Sequence, residues 1–286
     1  MDNQHIEDQI VKWLTKKLDD TKQKGFVIGV SGGIDSAVVS TLCAKTGKPT
    51  IVVSLPIAQS TTLADKHMAS LTSRHPNVRV SECYLDKALY SLEGSIWGDL
   101  FEMNRYSIDT NENRDLVSAN LRSRLRMCTL YAFANASGFL VVGTGNKVED
   151  YGVGFFTKYG DGGVDISPIG DLLKSEVRTL ASHLGIIEEI VKAAPTDGLW
   201  ADARTDEDQI GASYDELEWA MSEYGRIFCL LGDTFEEKLK MAQRMSGLAA
   251  FDLSDPRKQE VLKIFHQRHV ANRHKMNMPP VCVVER

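Results

Sequence analysis

Residues 25–30 (GFVIGV) lead without a break into the stretch 29–36 (GVSGGIDS) and then into the small and apolar residues 37–44. An apolar run with no polar alternation is the pattern of a strand buried on both faces. Two adjacent glycines flanked by serines allow a tight turn, and residues 35–46 read as the helix that follows. Strand, tight turn and helix is half of a βαβ unit, and the pattern recurs. Residues 50–58 (TIVVSLPIA), 78–86 (VRVSECYLD) and 138–146 (GFLVVGTGN) read as further strands, separated by helical stretches at 61–75 and 113–137. An amphipathic helix at 4–22, with Ile6, Ile10, Val11 and Leu14 at helical spacing, precedes them. Such alternation predicts an α/β fold, a doubly wound parallel sheet flanked by helices. Ligands of such sheets sit at the carboxyl ends of the strands, where the glycine-rich loops 29–36 and 143–146 begin.

A chain of 286 residues with 43% hydrophobic and 25% charged content can build a sizeable core, and we read 1–286 as one domain. A net charge of -6 argues against a nucleic-acid binder working through a general basic field. Cys43, Cys83, Cys128, Cys229 and Cys282 are scattered without a C-x-x-C pair, as expected of reduced thiols rather than a zinc site. No apolar run approaches the ~18 residues of a membrane span, and the N-terminus lacks signal-peptide character. The expectation is a soluble, cytoplasmic protein.

Ser31, Gly32, Gly33 and Ser36 at a strand-to-helix turn offer backbone N–H groups beside a helix N-terminus, which is an anion site suited to phosphates. Neither G-x-G-x-x-G nor the lysine of G-x-x-x-x-G-K-[ST] is present. The pattern is S-G-G-x-D-S, in which Asp35 would repel phosphate unless a cation intervenes, so magnesium is implied. The plainer reading is a tight turn with Asp35 capping a helix. The completeness of the pattern after a buried strand disfavours that reading.

The motif resembles the PP-loop of the N-type ATP pyrophosphatases, whose members include ammonia-using synthetases and RNA-thiolating enzymes. Three further stretches are similar to the NAD synthetase family: NLRSRLRM (120–127), GTGNKVEDYGVGFFTKYGDGGVDISPIGDLLK (143–174), and the blocks PTDGLW (195–200) and TDEDQIG–SYDELE (205–218). The resemblance implies an adenine nucleotide alpha-hydrolase-like fold and amidation of deamido-NAD with ATP and ammonia through an acyl adenylate. It also implies a homodimer with no nucleic-acid or membrane partner. The chain leaves no room for a glutaminase domain, so ammonia is the expected nitrogen donor.

By the same resemblance, Gly29, Val30, Ser31, Gly32, Gly33, Ile34, Asp35 and Ser36 hold ATP, together with Gln59, Thr144, Lys174 and Thr196. Asp35 and Glu149 are the implied magnesium ligands. Arg124, Lys158, Asp165, His274 and Lys275 are the implied deamido-NAD contacts, and Asp35, Lys174 and Asp165 the implied catalytic set. The segment 149–156 is one residue longer than the common family form. Helical spacing places Val117, Asn120, Leu121, Arg124 and Cys128 on one stripe, with Arg122 and Arg126 on another face. On that reading Arg124 lies in a partly apolar stripe and needs an anion, either substrate or a structural carboxylate. His266, His269 and His274 read as surface histidines rather than metal ligands. Residues 91–112 match no pattern. An RNA-modifying PP-loop enzyme and a non-catalytic nucleotide sensor are the competing readings.

Overall fold

The structure is a computed structural model and describes residues 2–57, 61–102, 111–196, 205–230, 233–246 and 253–284. Helix α1 (Asn3–Thr21) starts at Asp2, whose carboxylate accepts from the N–H groups of Gln4 and His5. Strand β1 (Phe26–Gly29) follows, then α2 (Ile34–Lys45), β2 (Thr50–Ser54), α3 (Thr62–Arg74) and β3 (Val78–Glu82). Helices α4 (Asp86–Glu102) and α5 (Asn111–Ser137) precede β4 (Leu140–Val141). Among the described residues the strands form one parallel sheet in the order β3-β2-β1-β4. The winding reverses between β1 and β4, so the crevice at their carboxyl ends is the switch point where such sheets bind ligands.

Alternation along β1 explains why both faces are covered. Phe26 and Ile28 pack with α1, α2 and α6 (Lys174–His183) through Leu14, Leu42 and Leu180. Val27 faces the opposite layer, where Val53, Leu55, Leu89 and Ala134 meet. The remaining helices are α7 (Glu188–Val191), α8 (Asp206–Ile210), α9 (Tyr214–Phe228), α10 (Phe235–Ser246) and α11 (Pro256–Met276). α8 to α11 build a second apolar cluster around Tyr214, Leu217, Leu262 and Phe265.

Three expectations change. β3 is an edge strand with Val78 buried and Val80 exposed, not a strand apolar on both faces. The fourth strand is confined to two residues plus a parallel bridge from Val142 to Ile166, because residues beyond Val141 turn into the loop that carries the site. Part of the unassigned stretch 91–112 belongs to α4, anchored by the buried Leu89 just before it.

The segment expected to carry one extra residue forms a π-helical turn, Val148–Val153. A π turn absorbs an additional residue without shifting what flanks it. It closes on Gly154 (φ 64), where the N–H groups of Gly154 and Phe155 both reach Glu149 O. The carbonyls left open at its end are met by α11. His269 Nδ1 pairs with Gly152 O at 2.7 Å, Asn272 Nδ2 donates to Val153 O at 2.9 Å, and Lys275 Nζ donates to Gly154 O at 3.0 Å.

Behind the loop 29–36, the buried His67 of α3 places Nε2 2.8 Å from Ser40 Oγ, and Ser40 donates to Ser36 O at 2.7 Å. Burial, then the nearby Arg74 charge, pulls the His67 pKa down to about 4. The unfolded chain binds a proton near pH 6.5 and the folded one does not, so stability is lost as pH falls from about 6.5 through 4. Urea unfolding at several pH values should show this loss, on the order of 3 kcal/mol, and His67→Gln should flatten it.

A methyl at position 154 would lie 2.3 Å from Asn272 Cβ in a backbone conformation that suits glycine. Gly154→Ala should therefore cost at least about 1–3 kcal/mol by chemical denaturation, with α11 proteolysed first.

Candidate functional site

The first residue of α6, Lys174, is 2% exposed and sits between two carboxylates. Its Nζ is 2.5 Å from Asp35 Oδ2 on α2 and 3.1 Å from Glu149 Oε1 on the π turn. Asn146, fully buried, donates to Asp35 Oδ1 at 3.3 Å, and its Oδ1 accepts the N–H groups of Val148 and Glu149, each at 3.1 Å. Tyr214 Oη donates to Glu149 Oε1 at 2.5 Å. Burial opposes all three charges. The two carboxylates outweigh it at Lys174 and keep the ammonium protonated well beyond neutral pH. Burial also leaves Asp35 above the usual carboxylate range despite Lys174. For Glu149, Lys174 and the Tyr214 hydroxyl overcome burial and hold it below that range.

The loop beside this cluster, residues 29–36, ends at an uncapped helix N-terminus. Gly33 is the N-cap of α2 and provides no side-chain cap, so the first N–H groups of a 12-residue helix are left without one. Gly32 adopts φ +88, and a Cβ there would lie 3.0 Å from Leu63 Cβ. The hydroxyls of Ser31 and Ser36 stay within the loop: Gly33 N donates to Ser31 Oγ at 3.2 Å and Ser36 Oγ donates to Gly33 O at 2.9 Å. Two carboxylates and one ammonium leave the cluster one charge negative, next to donors suited to polyphosphate. Such a charge balance suits a hard divalent cation with oxygen ligands. Magnesium is held in this way, by one or two carboxylates plus substrate phosphates. No larger cluster of metal-holding side chains occurs among the described residues.

A third glycine-rich loop, residues 157–163, docks on α5. Thr157 Oγ1 donates to Asn120 Oδ1 at 2.8 Å, Ser123 Oγ donates to Asp161 Oδ1 at 2.7 Å, and Thr157 N donates to the same oxygen at 2.9 Å. Arg124 is exposed and donates through Nε to Lys158 O at 3.4 Å, and Lys158 Nζ donates to His274 O at 2.6 Å. These bonds bring Arg124, Lys158 and the exposed His274 to one rim, while Lys275 turns inward to the carbonyls of Gly154 and Phe156. The stripe drawn from spacing is thus corrected. α5 buries Ala119 and Ser123, Arg124 is exposed while Arg122 is half-buried, and Arg126, also half-buried, donates to Leu55 O at 3.1 Å.

Asp165 lies apart from the Lys174 cluster, at the edge of β4. One oxygen accepts from Tyr131 Oη at 2.9 Å and the other from Val141 N at 2.8 Å. Thr144 is half-buried on the β4 loop and Thr196 is exposed, while Gln59 falls outside the described residues. His266 stacks on Phe235, with centroids 3.9 Å apart, and His269 on Phe265; these are packing groups rather than surface histidines.

Four residues that pattern reading assigned no role complete the site: Asn146, Asp150, Asp161 and Tyr214. All lie inside the quoted motif blocks, which was the available signal. A polar cavity of about 120 Å³ between the β4 loop, the glycine-rich loop and α11 is lined by Gly145, Asp150, Asp161, Ser167 and Lys275. Burial, with Glu149, Asp161 and Asp35 nearby, pushes the Asp150 carboxyl up to about 8. Asp161 is raised by burial as well.

Known proteins match this architecture. The NH(3)-dependent NAD(+) synthetase of Alkaliphilus oremlandii is 41% identical over 212 residues, which is 74% of this chain and 82% of the relative. The NMN synthetase structure from Francisella tularensis superposes with a TM-score of 0.76 at 28% identity over 99% of both chains. The NH3-dependent NAD synthetase structure from Campylobacter jejuni gives 0.69 at 25% identity over 99% of this chain and 100% of that one. Residues 6–242 match the family model described as NAD synthase, and the chain belongs to the NAD synthase family.

Proposed function

We infer that this protein is an ammonia-dependent ligase that amidates deamido-NAD to NAD at the expense of ATP. The observation that carries the reading is the convergence of Asp35, Glu149 and Lys174 on the open N-terminus of α2 at the sheet's switch point. A carboxylate oxygen of the substrate attacks the α-phosphorus of ATP and breaks the bond to the bridging oxygen, releasing pyrophosphate. Ammonia then attacks the acyl carbon, AMP leaves, and a proton is lost from nitrogen. The first step gathers anions, so stabilisation comes from preorganised donors and positive charge. The α2 N–H groups and Lys174 supply these from the chain, and Asp35 and Glu149 are the groups that would hold magnesium. When bound, magnesium would neutralise phosphate charge.

Arg124, Lys158 and His274, gathered at one rim, suit the anionic dinucleotide. The glycine-rich loop pinned to α5 suits exclusion of water from an acyl adenylate, which hydrolyses readily. The bonds made by Asp165 support a role in holding the loop to β4 better than one in catalysis. A single catalytic unit over 1–286, a homodimer and a cytoplasmic setting belong to the same reading through the family resemblance. No helix among the described residues is long and apolar enough to cross a membrane. The full-length superposition on an NMN synthetase favours one second reading, in which the corresponding mononucleotide acid is amidated at the same site.

Purified protein with ATP, magnesium, deamido-NAD and ammonium chloride should form NAD, AMP and pyrophosphate in equal amounts. Glutamine in place of ammonium should give no product, and the rate should climb toward alkaline pH as free ammonia increases. Faster turnover of the mononucleotide acid would select the second reading, and equal turnover with glutamine would exclude ammonia dependence. Asp35→Asn should abolish pyrophosphate release while circular dichroism stays unchanged. Arg124→Leu should raise KM for deamido-NAD roughly ten- to a hundredfold, the loss of a charge-assisted contact, and leave KM for ATP nearly unaltered.

A further inference from the structure

Tyr214, the first residue of α9, is fully buried, and its ring and hydroxyl serve different neighbours. The ring lies in the apolar cluster of α8 to α11, with Lys174 Nζ 4.7 Å from its centroid. The hydroxyl is 2.5 Å from Glu149 Oε1 and 3.2 Å from Asp206 Oδ2. Lys174 approaches Glu149 through the same oxygen, Oε1, at 3.1 Å. Two donors therefore share Oε1, and the Asn146 amide is the further hydrogen-bonding neighbour of the carboxylate. A carboxylate oxygen already accepting two hydrogen bonds is a poor ligand, which leaves Oε2 the better placed of the two.

α9 is itself registered against α6, the helix that carries Lys174. Glu218 accepts from Ser175 N at 2.8 Å and from Ser175 Oγ at 2.6 Å. At the start of α9, Ser213 and Glu216 form a reciprocal cap, and Arg257 grips Glu216 at 2.7 and 2.9 Å. The hydroxyl thus comes to Glu149 from a fixed direction. A phenol O–H carries one proton to give, and Glu149 Oε1 is the nearer of its two acceptors.

We propose that Tyr214 is a positioning residue: with Lys174 it occupies Glu149 Oε1 and so presents Oε2 to the cation that accompanies the nucleotide. The proposal rests on Glu149 being a metal ligand. Without the hydroxyl, Lys174 alone selects the oxygen, and the carboxylate turns about its Cγ–Cδ bond.

The test is Tyr214→Phe, which keeps the ring in its cluster, with folding checked by metal-free thermal unfolding. Manganese binding is followed by electron paramagnetic resonance in the presence of the α,β-methylene analogue of ATP, so no turnover intervenes. The variant should bind manganese about tenfold more weakly, the loss of one hydrogen bond to a charged group. In steady-state assays KM for metal–ATP should rise, KM for deamido-NAD should stay constant, and excess metal should restore kcat. Glu149→Gln is measured alongside. If it weakens manganese binding and Tyr214→Phe does not, the positioning role is overturned while the metal site stands. If neither variant alters manganese binding, Glu149 is not a ligand and both readings fall.

Discussion

A single ammonium, that of Lys174, is enclosed by carboxylates from α2 and the π turn, and the placement of the site follows from it. Burying that much charge is tolerable only when each group is paired. Leaving two like charges facing each other after removal of one partner costs about 3–5 kcal/mol in comparable buried pairs. The pairing ties the start of α2, the π turn and the start of α6 together, with Lys174 139 residues from Asp35 and 25 from Glu149 along the chain. Asn146 completes the clasp by bonding both the Asp35 carboxylate and the backbone that carries Glu149.

The second constraint is geometric. The sheet brings the two glycine-rich loops to one edge, but the sheet alone does not hold the segment 148–156 in shape. α11 does so from the far end of the sequence, bonding the carbonyls of Gly152, Val153, Gly154 and Phe156 through His269, Asn272 and Lys275. The basic C-terminal residues, which alone look like a solvated charge run, are thus part of the frame around the site. Lys275 loses solvation there, which lowers its pKa below the ordinary lysine value.

Legibility in the sequence differed between scaffold and site. β1 and β2 were readable because burial on both faces demands continuous apolar residues, and α1 because its stripe repeats at helical spacing. β3 and β4 were less so: an edge strand exposes one side, and a two-residue strand carries no period. At the site, Asp35 and Lys174 were legible through their motifs. The orientation of Arg124 was not, since one arginine in a helix with several half-buried positions on more than one face cannot be phased by spacing alone. The bonds from Tyr131 and Val141 to the two oxygens of Asp165 were likewise not legible, because they join segments distant in the chain.

By itself the sequence determined the doubly wound α/β plan, the glycine-rich turn after the first strand and the family of the chemistry. These depend on local features: apolar continuity, glycines at a turn, and motif blocks whose residues are near neighbours. Tertiary structure alone decided that Glu149 and Asp35 share one lysine, that the extra residue is taken up by a π turn, and that Tyr214 reaches back from α9 to one oxygen of Glu149. Each of these is a contact between segments far apart in the chain. Its geometry is set by how layers pack, and no pattern within a single element encodes it.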